Sequence, residues 1–171
     1  KIEHRAQSLL IDHVGNDLNR LANELEKLSL NVGAQATITE AHIEEYIGIS
    51  KDYNPFELQR ALGQRNLPKA IQIIQYFEAN PKSAPIQLVL PTLYSFFSKV
   101  MLVFNAGSGN LAAVLGVPPF ATKEYQQAAQ QYGYGGVEQI LLLLHEYNLR
   151  SIGIGDSGTS DADLLKELVV K

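Results

Sequence analysis

The sequence predicts an all-α chain, and three observations carry that prediction. Apolar residues recur at steps of three and four, as in Leu18, Leu21, Ala22, Leu25 and Leu28, which places them on one face of a helix. No segment sustains the period-two alternation of a half-buried strand; "ATIT" at 36–39 is the only β-like piece, and it is too short to count. The punctuation is helical too, with Asn, Thr or Ser before apolar runs and Gly after them.

Ala6, Leu9, Leu10 and Val14 mark a first helix across residues 2–14. Gly15 stops it, and Asn16 or Asp17 can cap the next one. That second helix shows Arg20, Glu24 and Lys27 on its wet face, and "NVGAQ" breaks it. Thr39 caps a third helix in "ITEAHIEEYIG", with Ile43 and Ile47 facing inward and Gly48 ending it. Residues 1–48 therefore read as a three-helix unit, 49–52 as a linker and 53–171 as a second helical body.

In "NPFE", Asn54 caps, Pro55 takes the first helical position and Glu57 completes a capping box. This helix runs to Gly63 and should bury Phe56, Ala61 and Leu62. Pro68 opens another, with Ala70, Ile71, Ile74 and Phe77 on one stripe, and "ANPKSAP" turns the chain. Pro85 begins a long apolar helix containing Val89, Leu90, Leu93, Phe96, Phe97, Val100, Met101 and Phe104. Pro91 inside it predicts a kink, or an overlong first turn. "NAGSGN" is a loop, "LAAVLG" gives one or two helical turns, and Pro118-Pro119 breaks the chain. A helix at 122–132 follows, then one carrying Val137, Ile140, Leu141, Leu144 and Tyr147. "SIGIGDSGTS" is a loop expected to be mobile. Ser160 caps a last helix with Asp161 and Asp163 in its first turn.

Composition narrows the function. The chain has 171 residues, 46% of them hydrophobic and 19% charged, which is globular rather than disordered. A formal net charge of -4 gives no global attraction to nucleic acid or to an anionic membrane. Cysteine is absent, so disulfides and thiolate metal sites are excluded, in keeping with a reducing compartment. No apolar run approaches the roughly 20 residues that span a bilayer, and "KIEHRAQSLL" has no signal-peptide h-region. The chain starts without Met inside a helical pattern and reads as a fragment whose upstream part was removed.

Motifs of chemistry are weak. "GIGDSG" at 153–158 matches the dinucleotide-binding glycine pattern, but that mechanism needs a strand before it and a helix after it in a βαβ unit. A leucine-rich helix precedes it here, so an interhelical loop is expected. "GDSG" alone does not make a protease without His and Asp partners. His4, His13, His42 and His145 show no ligand spacing, and Glu24 with Glu26 and Glu44 with Glu45 sit on exposed faces. The aromatics Tyr94, Phe96, Phe97, Tyr125, Tyr132, Tyr134 and Tyr147 lack the interleaved Lys and Arg of a base-stacking surface. No phosphate-cradling Gly-x-x-x-x-Gly-Lys-Ser/Thr loop is present. The residues suit a packing and assembly module, with no catalytic residue, cofactor or metal ligand to name.

Taken in order, "GNDLNRLANELEKLSL", "ITEAHIEEYIGISKDYNPFEL", "RALGQRNLPKAIQIIQYFEANPKSAP", "LGVPPF", "LLLLHEYNLRSIG" and "DLLKELVVK" resemble the delta subunit of the bacterial DNA polymerase III clamp loader. The resemblance covers essentially the whole chain. It implies that residues 1–48 are an AAA+ helical lid, that 53–171 are a helical collar, and that an N-terminal AAA+ domain carrying the main sliding-clamp contact lies upstream. In ATP-using AAA+ relatives a Gly, a small residue, any residue and Arg open the last lid helix. Here Gly15, Asn16, Asp17 and Leu18 stand there, with Arg20 two residues late, and leucine cannot stabilise phosphate charge.

The resemblance thus implies a non-ATPase subunit of a bacterial, cytoplasmic replisome whose holoenzyme is a DNA-directed DNA polymerase. Its partners would be the gamma/tau-type ATPase subunits and delta-prime. The sliding clamp and primer-template DNA would be met only through the intact complex, and no membrane is implied. Collar packing needs apolar anchors beyond the internal core. Ile140, Leu144 and Tyr147 on the helix 137–148, and Leu164, Leu165, Leu168 and Val169 on the last helix, are the candidates. The alternative is a free-standing helical nucleic-acid-binding domain, which the charge balance disfavours.

Overall fold

The computed structural model describes the chain except residues 15–17, 34, 35, 49, 51, 82, 108 and 157, and the side chains of residues 12 and 13. The described residues are all-α, with nine α-helices and one short 3-10 turn. They divide into two compact units, Lys1–Asn54 and Pro55–Lys171. The division falls just beyond the linker expected at 49–52.

The first unit holds α1 (His4–Val14), α2 (Leu18–Val32) and α3 (Glu40–Ile47). Ala6, Leu10, Val14, Leu28, Ile38 and Ile43 are buried together, with Leu9, Leu21, Tyr46 and Ile47 packed against them. The expected helix start at Ile2 gives way to a parallel bridge between Ile2 and Ile38. The Glu3 amide donates to the Ile38 carbonyl at 3.0 Å and the Ile38 amide to the Lys1 carbonyl at 2.9 Å. The "ATIT" segment therefore finds a partner that a single-segment reading cannot supply. Thr39 caps α3, and His42 three residues on accepts the Thr39 amide on Nδ1 at 3.1 Å, taking the capping-box place usually held by Glu or Gln. Gly48 closes the helix in the left-handed region. The stop at Gly15 and the cap at Asn16 or Asp17 lie outside the described residues.

The second unit is built around α6 (Ile86–Val103) and α8 (Thr122–Ser151), which pack on each other. Around this pair lie α4 (Pro55–Gly63), α5 (Leu67–Ala79), the short α7 (Leu111–Leu115) and α9 (Asp161–Val170). On α4, Leu58 and Ala61 are buried while Phe56 and Leu62 are half-buried. On α5 the inward stripe is Ala70, Ile73, Ile74 and Phe77, with Ile71 left exposed. α6 runs through Pro91, and Thr92 Oγ1 donates to the Leu88 carbonyl at 2.8 Å. By length and composition α6 could cross a bilayer. Its buried stripe of Ile86, Val89, Leu90, Leu93, Phe96, Phe97 and Val100 explains that apolarity within the bundle.

Two glycines shape this unit. A Cβ on Gly63 would come 2.9 Å from Phe96 Cζ, so glycine there permits close approach of α4 to the buried ring. The span Thr122–Ser151 is broken at Gly133, whose φ of 65° and ψ of 170° are open essentially to glycine alone. The break separates the two helices expected at 122–132 and from Val137 onward. Between α6 and α8 the aromatic rings interlock: Phe97 meets Tyr132 edge-on at 5.6 Å and Phe96 meets Tyr125 at 5.0 Å. Tyr132 also donates its hydroxyl to the Leu62 carbonyl at 2.6 Å.

Candidate docking surface

The seven interface candidates fall into two groups. Leu144, Tyr147, Leu164, Leu165 and Leu168 are buried where the later part of α8 meets α6 and α9. Partners within the unit bury all five, although Leu144 and Leu168 also contribute to the wall of a groove. Ile140 and Val169 are half-buried and reach a groove. The outward neighbours on the same helices are Leu142, 59% exposed, and Val170, 66% exposed. Both lie on the helices read from the sequence as the candidate surface, though neither is singled out there. A signal existed for the first: at 3.6 residues per turn, four consecutive leucines at 141–144 cannot all face one side.

The loop after α8 is anchored. Arg150 Nε and Nη2 donate to Asp156 Oδ2 at 2.9 and 2.7 Å, and Arg150 Nη1 donates to Glu167 Oε2 at 2.7 Å. The buried Tyr147 adds its hydroxyl to the same Glu167 oxygen at 3.1 Å, and the Arg150 guanidinium lies 4.7 Å from the Tyr147 ring centroid. The Arg150 hydrogen bonds hold the Asp156 and Glu167 carboxyls below their ordinary range, and those carboxylates in turn raise Arg150. Asp156 Oδ1 also accepts the Thr159 amide at 3.2 Å. "GIGDSG" is thus an interhelical connection whose own acidic residue, Asp156, is bonded to Arg150 of α8, which in turn reaches Glu167 of α9; Ser157 lies outside the described residues. No strand precedes it, which removes the dinucleotide reading.

Other sequence candidates are placed as follows. Leu18 opens α2 and is 78% exposed, and Arg20 is exposed on the same helix; Gly15, Asn16 and Asp17 lie outside the described residues. His42 is half-buried and stacks on Tyr46 with ring centroids 6.3 Å apart. His4 and His145 are exposed, and the side chain of His13 is outside the described residues. Among the described residues no three His, Asp or Glu side chains converge as metal ligands would.

Within the second unit an apolar groove of about 400 Å³ opens among α4, α6, α8 and the end of α9. Leu62, Leu93, Phe97, Tyr132, Ile140 and Leu168 line it. The charged side chains on its wall, Arg65 and Lys171, are both cationic. An apolar hollow rimmed by charge is the form of a surface that receives a partner.

These features define a class of chain: a two-unit all-α fold with an apolar groove and exposed aliphatic side chains in its second unit. Among solved structures it is similar to the Bacillus subtilis DNA clamp loader delta protein (YqeN), with a TM-score of 0.61, 22% sequence identity and 99% of the chain covered. The chain spans 50% of that structure's length. The likeness shows a shared fold. Neither a protein-family model nor a curated protein matches the sequence.

Proposed function

We propose that this chain is the helical part of a delta-type clamp-loader subunit and acts by docking, without catalysis of its own. In this reading residues 1–48 are the lid and 53–171 the collar, which joins gamma/tau-type ATPase subunits and delta-prime. Sliding clamp and primed DNA are met through the assembled complex, in a bacterial cytoplasm. The observation that carries the reading is the alignment of 99% of the chain, across both helical units, with a solved clamp-loader delta protein.

The test is direct assembly. The 171-residue chain is mixed with purified clamp-loader ATPase and delta-prime subunits and run by size exclusion with light scattering. A stoichiometric complex is expected. Leu142→Glu and Val170→Glu, both placed on exposed positions, should weaken it while leaving the fold intact. Absence of any complex would reject the reading, and salt-sensitive binding to DNA alone would favour the nucleic-acid module instead.

A further inference from the structure

Three helices of the second unit end in the same hydrogen-bonded turn. After α4, the Arg65 amide donates to the Leu62 carbonyl and the Asn66 amide to the Ala61 carbonyl, each at 2.8 Å. After α7 the corresponding pair is Gly116 to Ala113 and Val117 to Ala112; after α8 it is Gly153 to Arg150 and Ile154 to Leu149. This double bond closes a helix through one residue in the left-handed region, where glycine is the usual occupant. Gly116 has φ 61° and Gly153 has φ 86°. At the end of α4 the place is held by Arg65, with φ 53°, the only positive-φ residue other than glycine among the described residues. A side chain kept in a strained backbone position calls for a reason.

The turn aims Arg65 at the groove. Its guanidinium lies 5.1 Å from the Tyr132 ring centroid, and Nη1 donates to the Gln131 carbonyl at 3.3 Å. No carboxylate lies within ion-pair distance of it among the described residues, and its side chain is exposed. The other rim cation, Lys171, is engaged differently: its Nζ lies 5.3 Å from the Tyr147 ring centroid, with Glu146 and Glu167 close enough to act on it. Arg65 thus places an exposed cation with no carboxylate in ion-pair distance, among the described residues, at the mouth of an apolar hollow.

We propose that the groove receives an amphipathic helix of a partner protein, with apolar side chains seated on Phe97, Ile140 and Leu168 and an acidic side chain paired with Arg65. The proposal deepens the docking reading above and rests on it. The complementary charge fixes the occupant's sign. Its helical form follows from the walls. The groove is lined by helices, so an extended peptide has no sheet edge to join, whereas a helix satisfies its own backbone and needs only an apolar stripe and a flanking charge. The hollow, at the small end of ligand cavities, suits a few anchor side chains.

The experiment uses a phage-displayed library of helix-favouring 16-residue peptides, selected on the 171-residue chain and counter-selected on Ile140→Arg. Selected peptides should carry Leu, Ile or Phe at helix spacing together with Asp or Glu. By fluorescence anisotropy their Kd should weaken about tenfold on Arg65→Gly, as expected for loss of one charge-assisted contact. Changing the acidic residue of the peptide to Gln should then add no further loss. Arg65→Gly leaves the turn with its preferred residue, so an unchanged or higher melting temperature separates lost binding from misfolding. Peptides without acidic residues, equal binding to Arg65→Gly, or no peptide that distinguishes Ile140→Arg would each overturn the proposal. If acidic peptides seat in the groove but clamp-loader subunits do not bind the chain, the docking proposal survives and the clamp-loader reading falls. Assembly with those subunits that ignores Ile140→Arg gives the reverse.

Discussion

Replacing Arg65 by glycine and by alanine isolates the backbone cost at the end of α4. Both variants delete the guanidinium, so the contact with Tyr132 is lost equally and cancels in the comparison. What remains is the Cβ in the left-handed region at φ 53°. That conformation costs an L-residue about 1–2 kcal/mol. Glycine gives back about 0.5–1 kcal/mol through its freer unfolded chain. Glycine should therefore be the more stable of the two by about 1 kcal/mol, the reverse of the order inside a helix. For a domain of this size that is a melting-temperature difference of roughly 4 °C, and urea unfolding should give the same sign with unchanged slope. Alanine equal to or more stable than glycine would refute the left-handed turn, and with it the argument that the chain tolerates strain to place Arg65.

Leu144→Ala should cost about 2–5 kcal/mol in chemical denaturation, because the side chain is 2% exposed and its removal leaves a cavity; Leu142→Ala, one turn-half away on the same helix, should stay within about 0.5 kcal/mol. Equal effects would contradict the assignment of Leu144 to the core. Gly133→Ala meets no atom within 4 Å of the new Cβ, yet should cost about 1–3 kcal/mol by backbone conformation alone; a neutral result in thermal unfolding would contradict the break in α8. The Asp156 anchor should depend on pH. Arg150 lowers the folded-state pKa of Asp156, so the anchor is fully present above the ordinary carboxylate pKa and is lost as pH falls through the lowered folded value. The Thr159 amide, bonded to Asp156, should lose hydrogen-exchange protection on acidification, and in Asp156→Asn its protection should be weakened already at neutral pH. Protection indifferent to pH would rule the anchor out.

Much of the fold was legible because the local signals agree with one another. The Thr39 and Ser160 caps and the break between the two parts of α8 each follow from a short-range rule. The docking surface was less legible. Leu144, Tyr147 and Leu165 have the composition of interface anchors, but α8 is covered by α6 and α9 at once, and only the tertiary arrangement says how much of its apolar surface is already taken. Tyr147 shows the same limit: its ring is buried because its hydroxyl reaches Glu167, twenty residues away. Gly63 reads as the end of its helix and α4 does end there, but its lack of a side chain also makes room for Phe96, and the left-handed turn falls on Arg65 two residues later. No local rule assigns arginine to that place, which is why the groove's rim cation emerged only from the structure.

In the proposed function the chain joins sibling subunits and does not turn over nucleotide. Sedimentation of the chain with clamp-loader ATPase and delta-prime subunits, without nucleotide and then with ATP, tests it most directly. One complex of fixed stoichiometry is expected in both conditions, with no phosphate released by the chain alone. A chain that stays separate from those subunits, or that hydrolyses ATP by itself, would contradict it.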